Sequence, residues 1–128
     1  EWSALLKIIN APADPKQFDA LIIGWSLGVD PDDYSIWHSS QYPAGLNFIG
    51  YRNRKADILL EQGRTTIDRR ERKLIYAELD KVIAWDQPYV FLWYPKSVVG
   101  VRDRVGGLSK PGPAGLFLHM EKVFTEKN

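Results

Sequence analysis

Apolar residues recur at helical spacing in three parts of the chain and run almost unbroken in two others. Trp2, Leu5, Leu6 and Ile9 stand at i, i+3, i+4 and i+7, one face of a helix. The breaker-rich stretch 10–15 ends it. Ala56, Leu59 and Leu60 mark one face of a second helix over 54–62, with Gly63 as its stop. The clearest periodicity follows Asp68. Ile75, Leu79, Val82 and Ile83 form a stripe broadened by Leu74 and Tyr76, while Arg69, Arg70, Arg72, Lys73, Glu78, Asp80 and Lys81 lie mostly off it. Asp68 and Glu71 make a capping-box-like start, and Pro88 ends the helix. Burying the four aliphatics of the stripe contributes roughly 6–12 kcal/mol before chain entropy is counted, so this helix requires a core partner.

The unbroken runs predict strands. Over 18–25, the run from Ala20 to Ile23 reads as a strand buried on both faces that ends in Gly24-Trp25. Tyr89 to Tyr94, YVFLWY, is apolar on both alternating faces and predicts a second buried strand, with another over 97–101. Between these, Asp30-Pro31 reads as the cap and first position of a short helix carrying Tyr34, Ile36 and Trp37. A polar, exposed loop over 39–45 follows. Residues 102–107 predict a turn, 110–113 a rigid extended linker, and Phe117, Leu118 and Met120 a last short strand. Helices alternating with strands predict an α/β fold.

Composition narrows the class. A length of 128 residues fits one domain with a real core. With 17 basic against 16 acidic residues, no bulk field draws the chain to nucleic acid or anionic membrane. The absence of cysteine excludes disulfides, thiolate metal sites and cysteine nucleophiles. No run is long enough to span a bilayer and no signal peptide is visible. Glu1-Trp2 opens in what reads as the middle of a packed helix, which points to a piece of a longer polypeptide.

Three groups of residues invite a chemical reading. Asp30, Asp32 and Asp33 offer a carboxylate pair or a hard-metal site, but the helix start beside Pro31 already accounts for acids there. A calcium loop lacks its glycine and terminal glutamate. His38 and His119 stand in no metal-ligand spacing, no Gly-x-Ser-x-Gly is present, and His38 beside Trp37 reads as a stacking residue. The basic run Arg69, Arg70, Arg72 and Lys73 reads as a solvated helix face. No enzyme signature emerges, and no metal or cofactor is implied.

Taken in order, the chain carries Phe18-Asp19, Gly24-Trp25, Asp30-Pro31, Tyr51-x-Asn53, Asp57, Leu59-Leu60, Asp68-x-x-x-Arg72, Leu74-x-Tyr76 and Pro88-Tyr89-Val90-Phe91-Leu92-Trp93-Tyr94. This ordered string resembles the C-terminal part of the family 5 extracellular solute-binding proteins, the oligopeptide-, dipeptide- and nickel-binding receptors of ABC importers. The resemblance implies the C-terminal-lobe portion of a type II periplasmic-binding-protein fold, with residues 1–128 a single fragment of the second ligand-binding lobe. It implies no catalysis. The implied protein is a periplasmic or extracellular lipoprotein, membrane-anchored through a region N-terminal to this sequence. It binds a peptide or other small solute and hands it to ABC permease subunits.

In peptide-binding members the segment after Gly-Trp lines the cleft, and an Asp three residues beyond the Trp pairs with the peptide α-ammonium. Trp25, Ser26, Leu27 and Gly28 are therefore the implied cleft residues, with Asp30 a further candidate. Gly28 stands where that Asp is expected. Either Asp30 substitutes for it, or the ligand is not a free-amine peptide. Two other classes stay open on the residues: a stand-alone α/β interaction module whose aromatic strand packs in a homo-oligomer, and a hydrolase using Asp30 with Asp32 or Asp33. Exposed strand edges in an isolated piece would also favour self-association.

Overall fold

A helix closes its own backbone hydrogen bonds, and every helix expected from periodicity is present. The computed structural model describes residues 1–13, 15–26, 28–96, 98–108, 115 and 119–126. Its elements are α1 (Trp2–Asn10), α2 (Tyr34–Trp37), α3 (Arg54–Thr65), α4 (Arg69–Asp86), β1 (Val105–Gly106) and β2 (Phe124–Thr125). Short 3-10 turns lie at Ser39–Gln41 and Met120–Lys122. The chain forms two compact units: Glu1–Trp25 with Pro31–Val90, and Ser26–Asp30 with Phe91–Asn128.

The first unit is built on α3 and α4, joined by the short connection 66–68 and packed on each other. Leu59, Leu60, Tyr76, Leu79, Val82 and Ile83 form its centre, closed by Ile36 and Trp37 of α2. Both long helices carry side-chain caps. Asn53 Oδ1 accepts the Lys55 and Ala56 N–H groups at 2.9 and 3.3 Å. Asp68 Oδ1 accepts those of Arg70 and Glu71, both at 2.9 Å. At the far end of α4, Gln87 takes a left-handed conformation (φ 43°) and its N–H closes on the Ile83 carbonyl, one residue before Pro88.

Gly63 does not stop α3. The helix runs through it to Thr65, because Gly63 marks the place where α4 comes closest. A Cβ there would stand 2.7 Å from Tyr76 Cζ. Arg72 fastens the same crossing, its Nε donating to the Gly63 carbonyl at 2.7 Å while its guanidinium lies over the Tyr76 ring.

The start of α2 also differs from expectation. Asp33, not Asp30, is its cap residue, and Asp30-Pro31 precede it in exposed chain. Asp32 is drawn to Arg64 of α3 at 2.7 Å and accepts the Tyr34 N–H at 3.2 Å, so the helix begins after the tethered pair. The loop after α2 is not a free polar loop. Asp57 accepts the Ser39 N–H (2.9 Å) and Oγ–H (2.6 Å), and buried Asn47 donates to the His38 and Tyr51 carbonyls while accepting the Tyr51 N–H. Lys16 Nζ reaches the carbonyls of Ile9, Ala11 and Pro43, tying the end of α1 to this loop. Helix α1 docks only through that end: Ile9 is buried, Leu5 and Leu6 are half-buried, and Trp2 is exposed.

None of the long predicted strands forms a ladder. Among the described residues the only sheet is β1 with β2, antiparallel, Val105 opposite Thr125 and Gly106 opposite Phe124. It occupies part of the expected turn over 102–107. Gly107 follows with φ 79°, where a Cβ would strike the Lys122 carbonyl. Residues 18–25 keep a strand's alternation, with Leu21, Ile23 and Trp25 half-buried and Ile22 82% exposed, but they are not buried on both faces. Val90 to Tyr94 are all exposed, as are Val98, Val99 and Val101. A strand composition becomes a strand only when another chain segment takes its N–H and C=O groups. Ser97, the expected linker 110–113, Phe117 and Leu118 lie outside the described residues, and Met120 opens a 3-10 turn rather than a strand.

Candidate functional site

The residues implied to line a ligand cleft divide between the two units. Trp25 belongs to the first, while Ser26, Gly28 and Asp30 belong to the second, and Leu27 lies outside the described residues. Trp25 is half-buried with its indole stacked on Phe48, ring centres 5.7 Å apart and planes 17° from parallel. Phe48 is itself 3% exposed. The indole Nε1 is buried with no acceptor at standard hydrogen-bond geometry. Tyr89 nonetheless feels it: burial pushes the Tyr89 hydroxyl up from its ordinary pKa and the indole N–H partly offsets that rise. The contact is thus a weak, off-angle one rather than a full hydrogen bond. Tyr89 in turn packs on Trp37 at 4.7 Å. Ser26, Gly28 and Asp30 are exposed.

Sequence reasoning missed a polar column in the first unit. Arg64 lies 4.1 Å over the Tyr34 ring, and Tyr34 stacks on His38 at 4.1 Å and 17°. His38 is buried, and Nδ1 accepts the Ser40 N–H at 3.1 Å with Ser40 Oγ at 2.8 Å. The ring proton therefore sits on Nε2, facing Glu61 Oε1 at 3.3 Å and Asp57 Oδ1 at 3.9 Å. Ser40, His38 and Glu61 superficially have the composition of a hydrolytic triad. The Nδ1 lone pair already holds a backbone N–H, however, and cannot serve as a general base for the hydroxyl. The stacking role expected of His38 is the one observed. The signal available in sequence was the Tyr34-x-x-x-His38 spacing, one helical turn.

The acid cluster is divided in the same way. Asp32 holds Arg64, whose guanidinium it keeps above its ordinary pKa. Asp33 is half-buried, and burial first, then the charges of Asp32 and Asp80, push its carboxyl up. No group of His, Asp or Glu side chains able to hold a metal occurs among the described residues.

A further clamp joins the start of α3 to the end of α4. Tyr51 Oη and Asn53 Nδ2 both donate to Asp86 Oδ2 at 2.6 Å, holding the exposed carboxyl below its usual range, while burial and Asp86 push the Tyr51 hydroxyl up. Beside it lies a groove of about 320 Å³ lined by Val82, the exposed Trp85 and the ion-paired Lys55, Glu78 and Lys81. Its charges are matched with one another, and none of the cleft candidates lines it.

No family model matches the chain. Over 107 residues, 84% of its length, it is 41% identical to the oligopeptide-binding protein AppA of Bacillus subtilis. The solved structure of that protein in complex with a nonapeptide superposes on 99% of the chain with a TM-score of 0.78 and 38% identity. The chain is homologous to part of an oligopeptide-binding protein. It spans 19% of the curated relative and 25% of the solved chain. The resemblance to family 5 solute-binding proteins read from the ordered string thus rests on homology, and a stand-alone interaction module is not favoured. The architecture is that of a partial α/β fragment, helices with a small sheet. Several residues of the string now have structural roles. Tyr51 and Asn53 clamp Asp86, Asp57 caps the turn at Ser39, Asp68 caps α4, and Arg72 and Tyr76 seal the α3–α4 crossing. Much of what made the relationship legible is scaffold.

Proposed function

We propose that this chain is part of the C-terminal lobe of a type II periplasmic-binding-protein fold, in a peptide receptor that serves an ABC importer. The observation that carries this reading is the homology to an oligopeptide-binding protein along most of the chain. The receptor binds and releases without chemistry, so it is not an enzyme. It works at the outer face of the membrane, periplasmic or extracellular, anchored through a region N-terminal to this sequence, and passes its solute to permease subunits. Residues 1–128 act as a single fragment of the second lobe.

Trp25, Ser26, Leu27, Gly28 and Asp30 form the ligand-lining segment. The exposed backbone of Ser26 and Gly28 supports this role, since an extended peptide is held chiefly by main-chain hydrogen bonds. Asp30 is the carboxylate of this segment and the candidate partner for a peptide α-ammonium.

Native mass spectrometry of the full-length receptor purified from its own host tests the substrate class. Retained masses forming a peptide ladder support the assignment, whereas a single non-peptide mass keeps the family and replaces the solute. Asp30→Asn tests the anchor. Affinity for free-amine peptides is expected to fall about tenfold or more while N-acetylated peptides bind as before. Unchanged affinity for both removes Asp30 from the site.

A further inference from the structure

Among the described residues of 24–30, Trp25 alone is held. Gly24, Ser26, Gly28, Val29 and Asp30 are exposed. A side chain added at Gly24 would meet nothing within 4 Å, and one at Gly28 only the Asp30 nitrogen at 3.9 Å. Trp25 by contrast is seated on Phe48 and packed against the helical core. The seat is doubly braced, because the chain enters and leaves the first unit at the same place. The first stretch of that unit ends at Trp25 and the second at Val90, next to Tyr89. Tyr89 rests on Trp37 and senses the Trp25 indole. An aromatic staple therefore joins both chain exits.

We propose that Trp25 is a positioning residue: its indole pins the start of the ligand-lining backbone 26–30 and acts through that backbone rather than by touching the solute. This rests on the peptide-receptor reading above. Ser26 can stray no further from the pinned Trp25 than one residue's reach, and each later residue only by one more. Fixing that origin before the solute arrives removes conformational freedom that binding would otherwise have to remove. The stacked face of the indole is spent on Phe48, which makes the ring a poor specificity reader and a good anchor.

The test uses the full-length receptor, a mixed-sequence nonapeptide library as probe, and hydrogen exchange of the backbone amides in 26–30 without ligand. Trp25→Ala is expected to weaken peptide binding about tenfold or more and to speed exchange over 26–30, with far-ultraviolet melting of the helices unchanged. Trp25→Phe, which keeps the ring on Phe48 and loses the N–H, is expected to stay within about threefold of the parent in affinity, with parental exchange. If Trp25→Ala fails to fold, Trp25→Leu keeps apolar bulk without the stack and is read in the same way. Equal losses in the Phe and Ala variants with parental exchange would mean that the indole N–H contacts the solute, overturning the proposal. Parental affinity and exchange in the Ala variant would overturn it as well. A parent that binds no peptide sinks the receptor reading, and the exchange measurement still decides the anchor.

Discussion

The pair α3–α4 and the segments 18–25 and 89–94 are alike in apolar content and opposite in outcome. Leu60 of α3 is 0% exposed, whereas Leu92 of the YVFLWY run is 58% exposed. The helices satisfy their backbone internally and need only an apolar surface to pack on, which each supplies to the other across the 66–68 connection. The apolar segments need a neighbour for their main chain as well, and no ladder for them exists among the described residues. Hydrophobicity is thus sufficient to bury a helix stripe but not to bury a strand.

The sharpest way to break the contrast is to substitute one leucine from each region. Leu60→Ala is expected to cost about 2–5 kcal/mol in urea unfolding. Leu92→Lys is expected to stay within about 0.5 kcal/mol and to lower concentration-dependent self-association in sedimentation. Comparable losses at the two sites would mean that the 89–94 run is buried in solution.

A smaller effect tests how closely the helices approach. Gly63→Ala places a methyl against Tyr76 and is expected to cost about 1–3 kcal/mol, with part recovered in a Tyr76→Leu background. A neutral Gly63→Ala would show that the crossing has slack.

The smallest effect is one of pH. The Asp33 carboxyl is raised in the folded state, so the fold holds its proton more tightly than the unfolded chain does. Stability is therefore lost as pH rises from the unfolded value through the folded one. Asp33→Asn removes that loss, and the melting temperature is expected to rise on the order of 1–3 °C at neutral pH and not at all in strong acid. Asp86 runs the other way. Its carboxyl is lowered first by Tyr51 and then by Asn53, and this contribution is present above the unfolded value and disappears as pH falls through the folded one. A rise in the Asp33→Asn variant that is equal at both pH values would point to capping rather than charge.

The candidate site was less legible than the scaffold. Trp25 could be singled out because Gly24-Trp25 ends an apolar run, but its stack on Phe48 joins positions far apart in sequence, beyond the reach of any periodicity. The His38 column draws on α2, α3 and the turn between them, and only its Tyr34–His38 step has a helical spacing. The clamp on Asp86 was half visible, as Tyr51-x-Asn53, while its acceptor waited at the end of α4.

By itself the sequence determined the helices and their caps, since periodicity, Asn53, Asp68 and Pro88 act over a turn or two of local chain. It also determined the relationship to an oligopeptide-binding protein, because the ordered string is a property of the chain and not of its contacts. The tertiary structure decided that Gly63 is a crossing and not a stop, that Asp33 rather than Asp30 caps α2, and that the strand-like runs stay unpaired among the described residues. Each of these turns on a partner distant in sequence: Tyr76, Arg64, or a ladder that one segment cannot build for itself.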